Sequence, residues 1–435
     1  MTRFFASAQV RFPALALCAV AAALCSATHG ASAAPDLTVQ AQAAQQKGPL
    51  LDTLRDLVNI ESGSGDREGL DRISQLIFDR LSALGGDVAF VEPPAETARP
   101  PDTPARIGRM VKATFTGTGS KKILLIAHMD TVYLKGMLAK QPFRVDGSRA
   151  YGLGIGDDKA GVAVILHTLA ILKALDFREY QTLTVLINAD EEIGSPGSRQ
   201  LLSELGAQHD VTLSHEGSPA ASDQLSLATA GIATVNLKVT GRAAHAGSAP
   251  ERGRNALYEM AHQILQMKDF SDPAHGVKMN WTIAQAGTNR NVIPAEATAG
   301  ADVRVVRVAD YEGLEKKIRE TAKKQLIPDT QVDITFRPGR PPLQSTPAAL
   351  KVANGAARIY AELGKTLKVN EQVAGGGTDA AYAALRTPHP VIERFGLLSF
   401  GAHSNDDEYV LIDSIEPRLY LATRLIMDFS RGLIP

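Results

Sequence analysis

Lys122-Ile123-Leu124-Leu125-Ile126-Ala127-His128-Met129-Asp130 is a run of apolar residues that ends abruptly in a histidine and an acid. A strand with one wet face alternates apolar and polar side chains. A run that is apolar at nearly every position buries both faces, as a strand inside an α/β sheet does. Elements alternate around it. Leu70, Ile73, Ile77, Leu81 and Leu84 recur at helical spacing over 67–84 and stop at Gly85-Gly86. Strands are expected at Met110–Thr116, Lys122–His128, 183–188 and 211–216, and helices at 159–175 and 198–205. This order argues for an α/β fold with a mostly parallel sheet flanked by helices.

Near Ala230 the pattern changes. Val235, Leu237 and Val239 alternate with polar residues, followed by a helix at 255–267, strands at 278–285 and 297–306, a helix at 309–324 and a strand through Val332, Ile334 and Phe336. The order β-α-β-β-α-β is that of a ferredoxin-like α+β module. Arg337-Pro338-Gly339-Arg340-Pro341-Pro342 reads as the linker that closes it, after which the α/β pattern resumes with helices at 348–363 and 417–429 and a glycine turn at Gly375–Gly377. The division expected is an export segment at 1–33, a catalytic domain at 34–229 and 342–435, and an inserted module at 230–341. Residues 94–105 read as a surface loop.

The chain of 435 residues is 44% apolar and 21% charged, a globular mix with room for two cores. Lys and Arg number 46 against 47 Asp and Glu, a net charge of −1, which leaves no electrostatic footprint for nucleic acid or an anionic membrane. Both cysteines, Cys18 and Cys25, lie in the N-terminal apolar stretch, so the remainder has no disulfide and no thiolate metal site. Arg3, Arg11, the apolar stretch 13–24 and Ala31-Ser32-Ala33 form an export signal, placing a mature chain from about Ala34 in the periplasm or outside the cell.

Acids and histidines collect where strands end, which is where ligands bind in open α/β sheets. His128 follows the apolar run with Asp130 two residues on, placed to hold its imidazole; a hydrogen-bonded core histidine would look the same. Gly154-Ile155-Gly156-Asp157-Asp158-Lys159 is a glycine turn entering a helix, either a helix cap or a close approach to an ion. Asp190-Glu191-Glu192 follows a buried strand, where mutual repulsion calls for a cation; one carboxylate on a metal and the next as general base would satisfy it. Glu216 and His403 complete the set. Histidines and carboxylates without cysteine suit a pair of Zn²⁺ or similar divalent ions.

His128-Met129-Asp130-Thr131-Val132, Gly156-Asp157-Asp158-Lys159-Ala160-Gly161, Asp190-Glu191-Glu192-Ile193-Gly194-Ser195, Glu216 and His403 together resemble the di-zinc aminoacylase/carboxypeptidase family of metallopeptidases, and within it the exported bacterial glutamate carboxypeptidases. The resemblance runs from about residue 50 to the C-terminus, inserted module included. It implies Asp157 bridging two Zn²⁺, His128 and Glu216 on one ion, Glu192 and His403 on the other, Glu191 as general base and Asp130 orienting His128. It also implies that His245, in Gly241-Arg242-Ala243-Ala244-His245-Ala246-Gly247, reaches across a homodimer, and that Asn291, Arg304 and Arg340 bind the substrate's C-terminal carboxylate side. Departures fall at His215, at Gly217-Ser218 and at Ala402, where the family pattern has an aromatic, Pro-Thr and Tyr. The implied activity is release of a C-terminal glutamate from folate-type or N-acyl-glutamate substrates. Alternatives are an aminoacylase or dipeptidase on the same scaffold, a metal-dependent binding protein without catalysis, and a structural periplasmic protein.

The remaining histidines read as structural (His167, His215) or as surface residues without acidic partners at ligand spacing (His209, His262, His275, His389). Lys316-Lys317 and Lys323-Lys324 read as a solvated helix face.

Overall fold

The computed structural model describes residues 34–94, 103–404 and 406–434; the export segment at 1–33 and most of the loop expected at 94–105 lie outside them. Lys122–His128 sits inside a six-stranded sheet in the order Asp87–Val91, Met110–Thr116, Thr182–Asn188, Lys122–His128, Val211–Ser214, Val391–Ile392. The three pairings from Thr182–Asn188 to Val391–Ile392 are parallel. The first two strands add an antiparallel edge, so the sheet is mixed.

Both faces of the apolar run are buried, as its composition requires. Ile123, Leu125 and Ala127 pack into the larger core with the helices Leu37–Gln45, Lys47–Val58, Arg67–Ala83, Ala160–Ala174, Pro347–Glu362 and Ile415–Ser430. Leu124 and Ile126 face the opposite layer, Arg199–Gln208 and Ala380–Ala384. Asp66 caps Arg67–Ala83 by accepting from the Gly69 N–H at 3.1 Å, which explains the sharp start of that helix.

The second sheet is antiparallel throughout, in the order Lys278–Ala286, Glu296–Val305, Gly231–Thr240, Gln331–Pro338, with Ala256–Gln266 and Ala309–Ala322 on one face. Gly231–Thr240 alternates buried and exposed positions along its length. The passages between the two sheets are hydrogen-bonded to each other. Ile232 N–H donates to Arg340 O at 2.8 Å, Gly339 N–H to Ile232 O at 2.8 Å and Thr229 N–H to Leu343 O at 3.0 Å. The proline-rich stretch is therefore no loose linker: its first residues end a strand, and Arg340 is buried.

Three further readings are corrected. The strand expected to 216 ends at Ser214. His209 is buried, because its ring turns back beneath the helix it follows: Nδ1 contacts Leu205 O at 2.7 Å and Nε2 contacts Thr184 Oγ1 at 2.8 Å. His275 is exposed but has an acidic partner, Asp272, at 2.6 Å. His167, between Thr53 and Gln46, and His215, against Phe395, are enclosed and pushed down by burial to about 4 and about 3, as structural histidines are.

A third, five-stranded sheet of short strands packs beside the C-terminal ends of the first: Arg144–Asp146, Arg149–Tyr151, Tyr409–Leu411, Leu398–Phe400, Ser218–Pro219. It carries the loop with His403. Among the described residues, no helix is long and apolar enough to cross a membrane.

Candidate metal centre

Each acid and histidine placed at a strand end by the sequence arrives at one spot. His128 ends Lys122–His128, Glu191 and Glu192 follow Thr182–Asn188, and Glu216 lies just past Val211–Ser214. Asp157 is presented by the turn before Ala160–Ala174. That turn requires glycine at 154, where φ is +69° and a Cβ would lie 2.4 Å from Thr131 Cγ2. His403 is held at φ 65°, in the left-handed region that a non-glycine residue occupies only when its surroundings force it.

Two triplets form, each with ligand atoms mutually within 4.8 Å: His128, Asp157, Glu216 and Asp157, Glu192, His403. Asp157 belongs to both. His128 Nε2 lies 3.0 Å from Asp157 Oδ1 and 3.7 Å from Glu216 Oε1. His403 Nε2 lies 3.3 Å from Asp157 Oδ2 and 3.2 Å from Glu192 Oε2. Asp130 is fully buried and holds this arrangement from behind. It accepts from the Glu191 and Glu192 N–H groups at 3.0 and 3.2 Å and from Ser64 Oγ at 2.8 Å, and its Oδ1 is 3.4 Å from His128 Nδ1.

Glu191 is in neither triplet. Its Oε1 meets Arg340 Nη1 at 2.6 Å, and Arg340 Nη2 also donates to Glu191 O at 2.7 Å and Ser195 Oγ at 3.2 Å. Arg340 thus faces the expected base. Arg304 pairs with Asp302 at 2.9 Å and reaches Gly375 O at 3.3 Å, on the glycine turn whose Gly377 O accepts from Arg340. His245 and Asn291 are brought together elsewhere, on two zipped loops: Ala246 N–H donates to Asn291 O and Ile293 N–H to Ala244 O, both at 2.9 Å. His245 is exposed, and its Nδ1 accepts from the Gly247 and Ser248 N–H groups at 3.1 Å each. Those contacts put the proton on Nε2, which is left as an outward donor. Among the described residues, no hydrogen bond of His245 reaches a carboxylate of its own chain.

Burial pushes the Glu216 carboxyl well above its ordinary range, with Asp157 adding to the rise, and pushes Glu191 up to about 8 against the pull of Arg340 and His128. Asp157 is the exception: burial would raise it, but the hydrogen bonds to His128 and His403 hold it below the usual carboxylate range. His403 is raised to about 10 by Asp157 and Glu192. The donor set is imidazole and carboxylate without thiolate, doubled about a shared acid, and a pair of divalent cations fits it.

Residues 124–428 match peptidase family M20/M25/M40. The chain is 46% identical to carboxypeptidase G2 of a Pseudomonas species over 90% of this chain and 92% of that protein. Among solved structures it resembles the aminopeptidase PepT of Bacillus cereus (TM-score 0.72, 22% identity, 88% of this chain and 98% of that one). It also resembles an M20 family metallo-carboxypeptidase of Sulfolobus solfataricus (TM-score 0.68, 16% identity, 88% and 99%). At such identities the structural matches speak for the fold alone. The chain belongs to peptidase family M20/M25/M40, whose members are metal-dependent hydrolases. It is a metallocarboxypeptidase.

Sequence reading missed Glu408, Tyr133, Ser64 and Asp379, all within the hydrogen-bond network behind the site. Glu408 ends a second acid triplet, Asp406-Asp407-Glu408, that leads into a strand; that was the available signal.

The linkage of the metal-stripped protein has a definite sign. Asp190 and Glu393, raised by burial to about 7, and Glu191, raised to about 8, keep protons in the folded state that the unfolded chain has released. Their contribution to stability is lost as pH rises toward those values. His403, raised to about 10, loses its contribution in the same direction above pH 6.5. The three histidines lowered by burial, His167, His209 and His215, act oppositely below about pH 7, and Lys159, lowered by burial to about 8, does so above it. The Tm of the metal-stripped protein is therefore expected to fall from pH 5 to pH 8, and added Zn²⁺ to remove most of that fall. A flat profile in the stripped protein would contradict the crowding of acids.

Proposed function

We propose that the chain is an exported di-zinc exopeptidase that hydrolyses the amide bond to a C-terminal glutamate in folate-type or N-acyl-glutamate substrates. The observation that carries this reading is the division of labour at the site: two triplets share Asp157, while Glu191 stands beside them with its carboxylate outside both. The likeness to carboxypeptidase G2 supports the choice of substrate end. The signal-like residues 1–33 support export.

His128 and Glu216 would hold one ion, Glu192 and His403 the other, and Asp157 both. The ions, when bound, supply Lewis acidity at the scissile carbonyl and the attacking water. Glu191 takes the proton of that water and passes it to the leaving amine. Arg340, bonded to both the side chain and the carbonyl of Glu191, holds the base in place until substrate arrives. Asn291, Arg304 and Arg340 are proposed for the substrate's C-terminal side. For Arg340, that means exchanging the Glu191 carboxylate for the substrate's, so that recognition of the terminal carboxylate and freeing of the base occur together.

His245 is proposed to serve the partner subunit of a homodimer. It is exposed on the inserted module, bonds among the described residues to no carboxylate of its own chain's cluster, and presents an Nε2–H donor fixed by two backbone N–H groups. Such a donor stabilises an oxyanion when it sits where the charge develops.

Glu191→Gln should retain its metal and lose turnover by about 10²–10⁴-fold or more, the range for removal of a general base. Near-normal kcat in a metal-replete variant would end the assignment. On a panel of N-acyl amino acids, kcat/KM for the glutamate member should exceed that for leucine by about ten-fold or more; equal rates would make the enzyme an aminoacylase. Mixing Glu191→Gln with His245→Ala chains under subunit exchange should recover roughly a quarter of wild-type activity, because one site of each mixed dimer has both groups. Recovery no better than the average of the two variants, with exchange confirmed, would return His245 to its own subunit or to the surface.

A further inference from the structure

Glu408 lies outside both ligand triplets and has no part in the proton transfer, yet it is buried beside them and all its bonding capacity is used. Oε1 accepts the N–H groups of Gly156 at 2.8 Å and Asp157 at 3.1 Å. Oε2 accepts the Gly154 N–H at 2.9 Å and the Tyr133 hydroxyl at 2.5 Å. An ionised carboxylate offers about four lone-pair sites, and here each faces a donor. Three of the four donors belong to the turn that presents Asp157.

The fourth extends the network. Tyr133 stands five residues beyond His128, and its hydroxyl also lies 2.8 Å from Ser404 O, next to His403. The segments bearing His128, Asp157 and His403 come from distant parts of the chain, and they meet at this one carboxylate–phenol pair. The glycines of the turn let the backbone close in: a Cβ at 156 would fall 2.7 Å from Ser399 Cβ and 3.5 Å from Glu408 Oε1.

We infer that Glu408, acting with Tyr133, is a positioning residue that sets the separation and orientation of the ligand segments around Asp157, and so sets the affinity and geometry of the metal pair. The inference rests on the metal reading proposed above. Partners behind a metal ligand typically govern affinity by about 10–100-fold, because they fix the ligand before the ion arrives. Glutamine cannot replace Glu408: it has a single acceptor oxygen, and in either orientation its NH₂ group would face at least one backbone N–H, of Gly154 or of Gly156 and Asp157. Phenylalanine at 133 keeps the ring and removes only the hydroxyl, so it is the milder variant.

The test is titration of metal-stripped full-length protein with Co²⁺, followed by its visible spectrum and by calorimetry, for wild type, Glu408→Gln, Tyr133→Phe and Glu393→Gln. The last removes a carboxylate as deeply buried as Glu408 whose side-chain oxygens have no hydrogen-bond partner among the described residues, and so reports burial alone. Wild type is expected to bind two equivalents. Tyr133→Phe and Glu408→Gln should weaken at least one of them by about ten-fold or more and shift the Co²⁺ absorption, while Glu393→Gln keeps both affinity and spectrum. If Glu408→Gln does not fold, Tyr133→Phe decides. Folded variants with wild-type Co²⁺ affinity and spectrum would overturn the positioning role, as would an equal loss in Glu393→Gln. Wild type that binds no Co²⁺ would overturn the metal reading itself.

Discussion

One carboxylate, Asp157, is shared by two groups of side chains that could each hold a metal ion, and the rest of the site is arranged around the charge that results. Glu191, Glu192 and Glu216 crowd the same buried spot, and the protein sets against them two imidazoles and one guanidinium. Burial drives Glu191 and Glu216 toward their protonated forms, while two histidine contacts keep Asp157 ionised. Like charges gathered out of water require either protons or cations, and a donor set of imidazole and carboxylate favours divalent cations.

The fold places those charges without strain in its central elements. Parallel strands buried on both faces bring their C-terminal ends to one edge, and His128, Glu192 and Glu216 sit at or shortly beyond those ends. Behind them stand groups whose hydrogen bonds are filled by backbone. Asp130 takes the N–H groups of Glu191 and Glu192, and Glu408 takes those of the Asp157 turn. Arg340 spans the base and the glycine turn. Apart from Arg340 at its closing boundary, the inserted module supplies none of these buried groups. It offers instead an exposed loop pair with His245 and Asn291 at its surface, the arrangement expected of a group meant for another subunit.

Much of this was legible in the sequence, for a physical reason. Ile123–Ile126 could be read as a doubly buried strand because each of its residues is apolar, and the candidate ligands His128, Glu192 and Glu216 were legible because they lie at or shortly after the ends of such strands. The alternation in Gly231–Thr240 made the half-buried sheet of the module equally visible. What escaped was non-local. Glu408 bonds residues about 250 positions away, and no periodicity announces that. The small third sheet is built of strands two or three residues long, too short to carry a pattern. His209 was misplaced because nothing in its neighbourhood shows that its ring turns inward, and Arg340 because a proline-rich stretch reads as exposed chain.

Crystallographic anomalous scattering at the zinc edge, on protein purified without chelator, tests the central claim most directly. The account predicts two peaks about 3.5–4 Å apart, the separation of two-metal sites, with the Asp157 carboxylate between them. A single peak, or peaks remote from Asp157, would contradict it.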